Sequence, residues 1–140
     1  MELDHTEITV KTIVKVPVEK AWQCFTEPEH IMKWNHASDD WQTTSSENDL
    51  RVGGKFVSRM EAKDGSMGFD FYGTYEEVKL NEVISYTLGD GRKVTIHFNG
   101  KDNETVVTEI FEAEKENPME LQQNGWQAIL DNFKKYVEQV

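Results

Sequence analysis

A single cysteine, Cys24, stands in the 140 residues, so no internal disulfide can form and burial alone must hold the fold. That usage suits a reducing compartment. Only three prolines, Pro17, Pro28 and Pro118, punctuate the chain, and no repeat, low-complexity tract or Pro/Ser-rich linker divides it. One domain over residues 1–140 is the expectation, at a length that buries a proper core unaided. No apolar run approaches the roughly 20 residues of a membrane span. Positive charge is scarce: 15 Lys and Arg against 26 Asp and Glu give a net charge of −11, with no basic block. Nucleic acid is therefore excluded as a partner, and anionic membrane surfaces are disfavoured. The opening "MELDHTEITV" has neither the basic nor the apolar region of a secretory signal. A cytoplasmic protein whose partners are apolar small molecules or other proteins is expected.

What is present is rhythm. "EITVKTIVKV" alternates strictly, with Ile8, Val10, Val14 and Val16 on one face, and Pro17 ends that strand. Val18, Ala21, Trp22 and Phe25 fall at helical spacing. Pro28 then opens a second short helix carrying Ile31 and Trp34. A long loop is expected after it.

Period two returns in "GKFVSRMEAKDGSMGFDFYGTYEEV", and Asp64-Gly65 marks a two-residue hairpin turn. Folding there sets Met60 opposite Phe69, Ser58 opposite Phe71 and Phe56 opposite Gly73, with the large apolar side chains on one face. The other face pairs Arg59 with Asp70. A second hairpin turns at Gly89-Asp90-Gly91 and matches Ile84, Tyr86 and Leu88 with Val94, Ile96 and Phe98. "ETVVTEIFEAE" is a further strand whose inward face the periodicity leaves open. If Val107 and Phe111 point inward, so does Glu109, with a raised pKa.

The last segment reads as a long helix. Asn117 is placed to cap it, Pro118 to open it and Glu120 to close a capping box. Met119, Trp126, Leu130, Phe133 and Val137 form one apolar stripe along it, over roughly 30 Å. The fold class is α+β: a curved antiparallel sheet of about six or seven strands, two short helices after the first strand, and a long C-terminal helix on the concave face.

"VPVEKAWQCFTEPEHIMKW", the hairpin "LRVGGKFVSRMEAKDGSMGFDFYGTYEEV" and the closing "LQQNGWQAILDNFKKYVE" resemble the single-domain homologues of the activator of the heat-shock protein 90 ATPase. That family is part of the START-like (SRPBCC, helix-grip) superfamily, with the birch-pollen-allergen proteins and the polyketide cyclases. The resemblance runs from about Thr9 to Val137 and implies the same helix-grip architecture. It also implies a cavity between sheet and long helix for lipids, sterols or polyketides. Its eukaryotic co-chaperone namesakes carry an additional N-terminal domain, which this chain, beginning at the first strand, is expected to lack. A stress-related co-chaperone role, with a chaperone as partner, is the alternative. A weak enzyme of the polyketide-cyclase type is a third reading, with His36, Glu109 and Tyr86 as its available groups.

The leading expectation is a binding protein, with no catalytic residues, cofactor or metal. The candidate ligand-binding residues are aromatic on the sheet (Phe56, Phe69, Phe71, Tyr75, Tyr86) and apolar on the long helix (Trp126, Leu130, Phe133). Met60, Ser58 and Gln122 join them, with Gln123 as a further polar group. "IMKWNHASDDW" adds Trp34, His36 and Trp41, read as a lid over the cavity mouth. His30, His36, Asp39 and Asp40 lack metal-ligand spacing on any regular element. Cys24 reads as a small buried hydrophobe. Gly125, inside the long helix, marks either close approach to the sheet or space for a ligand, and close approach is the favoured reading.

Overall fold

The computed structural model describes residues 6–140. Residues 1–5, which open the stretch read above as lacking a secretory signal, lie outside the described residues. Seven strands and three helices follow one another as β1 (Glu7–Val14), α1 (Val18–Thr26), α2 (Pro28–Trp34), β2 (Trp41–Asn48), β3 (Lys55–Ala62), β4 (Gly68–Lys79), β5 (Val83–Leu88), β6 (Lys93–Lys101), β7 (Glu104–Glu112) and α3 (Met119–Val137). The strands form one antiparallel sheet in the order β1-β7-β6-β5-β4-β3-β2. From β2 onward each strand therefore pairs with its successor, and only β1 is displaced, to the far edge. Helices α1 and α2 carry the chain between the two edges. The sheet curls into a half-barrel around α3, the helix-grip arrangement expected from the alternation and the long apolar stripe.

The β3–β4 register is the expected one: Met60 faces Phe69, Ser58 faces Phe71, and Phe56 faces Gly73. Arg59 reaches Asp70 at 3.4 Å on the other face. The turn differs. The last rung joins Ala62 N–H to the Met67 carbonyl, leaving a four-residue loop instead of two. Asp64 explains this, because its carboxylate accepts from Ser66 N and Ser66 Oγ at 2.9 and 2.6 Å. Gly65 supplies the positive φ of 79° that the loop needs. The second hairpin closes over residues 89–91, with Gly91 at φ 93° and Leu88 N–H bonded to the Arg92 carbonyl.

Two expectations fail. The long loop after α2 contains β2, paired with β3 from Trp41↔Ala62 to Asn48↔Phe56. "WQTTSSEN" hides this strand because it buries almost nothing. Thr43 alone is buried, and the rest needs only backbone partners at a sheet edge. The capping box is also absent. Pro118 occupies the α3 N-cap without a side-chain bond, and the Asn117 amide turns back to Glu114 Oε1 at 2.7 Å. Met119 is correspondingly exposed.

The core lies between the sheet and the helices. Phe133 and Leu130 are fully buried on α3. Phe133 meets Phe25 and Trp34 edge-on, with ring centroids 5.2 and 5.0 Å apart. Cys24 is buried among them, and burial pushes its thiol pKa up. Thr105, in an otherwise apolar setting, is satisfied by donating to the Val16 carbonyl at 2.9 Å.

Candidate functional site

Sheet and α3 do not mesh everywhere. Between them lies a cavity of about 330 Å³. One wall is aromatic and comes from β3, β4 and β5, whose alternation sends every second side chain inward. Phe56 sits at its centre, 4.8 Å from Tyr86, 5.3 Å from Tyr75 and 5.8 Å from Phe71. Gly73 makes this possible: a Cβ there would lie 2.7 Å from the Thr87 carbonyl oxygen and 3.0 Å from the Phe56 ring. On the opposite wall α3 contributes Gln122, Trp126 and Ile129, one helical stripe. Trp126 stacks on Phe111 of β7 at 3.9 Å and 11°. The short helices close the end with Phe25, Ile31 and Trp34.

Ten of the sequence-derived candidates line this space: Trp34, Phe56, Ser58, Met60, Phe69, Phe71, Tyr75, Tyr86, Gln122 and Trp126. Leu130 and Phe133 do not; they point into solid core. Trp41 and His36 also stand outside the lining. Trp41 packs on Phe69 at the β2 edge, with centroids 5.9 Å apart. Trp34 is held by its indole N–H to the Cys24 carbonyl at 2.9 Å, and the His36 carbonyl accepts from Asn132 at 2.5 Å. The stretch is thus a pinned connection into β2, and the lid expected there is not formed. His36 Nδ1 is buried without a partner among the described residues, and burial, followed by the charge of Lys63, pulls its pKa down. His30 is taken up by the Tyr136 hydroxyl at 2.5 Å.

Residues missed in the sequence include Phe25, Ile31, Asn35, Arg92, Glu114 and Ile129. Phe25 and Ile31 carry a helical apolar signal, which marks a buried face without saying what it faces. Arg92 carried none, since it enters the cavity only because the β5–β6 hairpin tip curls over β7. Gly125 is a further correction: a Cβ there meets nothing within 4 Å, so close approach to the sheet does not explain it.

The polar groups differ in how far they are committed. The Gln122 amide accepts from Glu114 N–H at 2.9 Å and donates to the Glu114 and Asn117 carbonyls at 3.1 and 2.8 Å. It ties the β7–α3 connection, with both of its amide N–H donors spent. Gln123 is exposed. The Tyr75 hydroxyl donates to Asn48 Oδ1 at 2.6 Å, and burial pushes its pKa above the ordinary range. Ser58 Oγ lies 3.2 Å from Ser46 Oγ.

Glu109 is different. It points inward with Val107 and Phe111, flanked on its ladder by Val10 and Ile96, and is only 6% exposed. No hydrogen bond or ion pair meets its carboxyl among the described residues, and burial pushes its pKa up to about 8. Tyr86, 8% exposed, is also without a hydroxyl partner among the described residues. Burial, then the charge of Glu109, raises its pKa far up. Among the described residues no cluster of three or more His, Cys, Asp or Glu side chains is placed to hold a metal ion, and no helix is long and apolar enough to cross a membrane.

Solved structures share this architecture. The AHSA1-like protein from Aeromonas hydrophila is 44% identical, with 96% of this chain and 93% of that one covered and a TM-score of 0.90. Chr148 from Cytophaga hutchinsonii is 52% identical over 95% and 92%, at a TM-score of 0.83. Protein NE0264 from Nitrosomonas europaea, 21% identical over 98% and 97% with a TM-score of 0.82, shares the fold. No curated protein matches the chain. The family model for Activator of Hsp90 ATPase homolog 1-like protein matches residues 15–138. The chain belongs to the Activator of Hsp90 ATPase homolog 1-like family.

Proposed function

We propose that the protein binds a small hydrophobic or amphipathic molecule between the sheet and α3, without transforming it. The observation that carries this reading is the cavity itself: about 330 Å³, walled by Phe56, Phe71, Tyr75, Tyr86 and Trp126, with few uncommitted polar groups. Ligand sites run from roughly 300 to 1,000 Å³ and are mostly apolar. A volume at the low end favours a compact ring system over a two-chain lipid. The buried Cys24 and the absence of any other cysteine accord with work in a reducing cytoplasm.

Amide NMR titration with a panel of fatty acids, sterols and aromatic polyketides tests the reading. Saturable shifts are expected around Phe71, Tyr86 and Trp126. A panel that leaves those resonances in place overturns it.

A second reading, stress-related action on a chaperone, draws on the family's namesake. Its test is stimulation of a chaperone ATPase by the purified chain, and an unchanged rate removes it.

A further inference from the structure

The uncommitted polar groups of the cavity are few enough to say what they would recognise. Ser58, Tyr75 and Gln122 already hold partners, and the half-buried Asn35 rests its Nδ2 on Met60 Sδ at 3.6 Å. Arg92 donates from Nε to Asp90 at 2.8 Å and from Nη1 to the Glu112 carbonyl at 3.3 Å. Glu114 accepts from Asn117 N and Nδ2 at 2.8 and 2.7 Å. Glu109 and Tyr86 remain, both more than nine-tenths buried, both lining the cavity, neither bonded to anything among the described residues. The one side-chain nitrogen or oxygen shut off from solvent without a partner, among the described residues, is His36 Nδ1; the oxygens of Glu109 and Tyr86 keep accessible surface in the cavity, where a ligand would meet them.

We propose that Glu109 and Tyr86 form a polar subsite in the cavity floor that holds an uncharged oxygen acceptor, a ketone or ester carbonyl, of an otherwise apolar ring-bearing ligand. This rests on the binding function proposed above and names its ligand class.

The chemistry follows from the surroundings. Val10, Ile96 and Phe111 around Glu109 offer no cation, so the carboxyl keeps its proton at neutral pH and donates it in a hydrogen bond. The Tyr86 hydroxyl is a second donor. Two donors in an apolar floor suit one carbonyl oxygen with two lone pairs. An ammonium head brings only further donors, and Glu109 would have to ionise against burial to receive it. A carboxylate brings a full negative charge toward Glu109 and Glu114, and the cation of the lining, Arg92, is already bonded to Asp90 and to the Glu112 carbonyl.

The test compares four probes of one shape, methyl naphthyl ketone, ethylnaphthalene, naphthylethylamine and naphthoate, by NMR titration against the wild type, Glu109→Gln, Glu109→Leu and Tyr86→Phe. The ketone should bind wild type about tenfold more tightly than the hydrocarbon, the net worth of a hydrogen bond. Glu109→Gln, whose amide still donates, should keep that preference. Glu109→Leu and Tyr86→Phe should each reduce the ratio of ketone to hydrocarbon affinity, and amide resonances away from the cavity that match wild type show that the variants fold. Equal affinity for ketone and hydrocarbon overturns the subsite and leaves the cavity reading standing. So does tightest binding of the amine or naphthoate, or an undiminished preference in Glu109→Leu. If none of the four probes, hydrocarbon included, shifts the cavity resonances of wild type, the binding reading falls and the subsite with it.

Discussion

Replacing Glu109 by glutamine should uncouple part of the protein's stability from pH. The folded-state pKa of about 8 lies above the ordinary 4.5 that the carboxyl takes in the unfolded chain, and burial is the cause. The folded protein therefore holds this proton more tightly than the unfolded one. The contribution of Glu109 is fully present below pH 4.5, declines as pH rises, and is lost once pH passes the folded value of about 8. Each pKa unit corresponds to about 1.4 kcal/mol, so the whole shift sets an upper limit of about 5 kcal/mol, with about 3 kcal/mol already gone at neutral pH. Other carboxylates also titrate, but they do so equally in wild type and Glu109→Gln. The assay is paired urea denaturation of the two proteins between about pH 5 and pH 9, reading only the difference in unfolding free energy. That difference should move in favour of glutamine as pH rises and level off above about pH 8. A difference that stays flat across the range refutes the reasoning, as does a Glu109 carboxyl carbon that titrates at an ordinary acidic pH.

Gly125 and Gly73 should respond in opposite directions. Gly125→Ala meets no atom within 4 Å and should raise stability by about 1 kcal/mol through helix propensity, read as a higher denaturation midpoint. Gly73→Ala drives a methyl onto the Thr87 carbonyl and the Phe56 ring and should lower stability by about 1–3 kcal/mol in the same assay. On α3, Phe133→Ala removes a fully buried ring packed between Phe25 and Trp34 and should lose about 3–5 kcal/mol. Trp126→Ala, half-buried at the cavity wall, should lose about half as much, chiefly its stacking on Phe111. A Trp126 loss equal to that of Phe133 would mean the cavity is closed by this ring.

Much of the architecture was legible because one chemical pattern sufficed to state it. The β3–β4 register could be read twice over, from the apolar face of Phe56, Met60 and Phe71 and from the Arg59–Asp70 pair, and a slip of one residue would break both. Strand β2 was not legible, since an edge strand made of Thr, Ser, Gln and Glu is selected by the backbone groups of β3 and not by burial of its own side chains. The lid reading failed for a related reason. Trp34 and Trp41 look alike in sequence, but one indole found a carbonyl in the core and the other a ring at the rim.

By itself the sequence determined the periodicities, and through them which side chains of each strand and helix are able to share a face. It determined too that Glu109 goes inward if Val107 and Phe111 do. Only the tertiary structure decided the remainder: that sheet and α3 leave about 330 Å³ between them, that Gln122 is consumed by its own loop, and that Glu109 has no partner among the described residues. The reason is physical. Periodicity assigns a residue to a face, whereas whether a polar group on that face is satisfied depends on atoms brought from other strands and helices, at distances that only the packed chain sets.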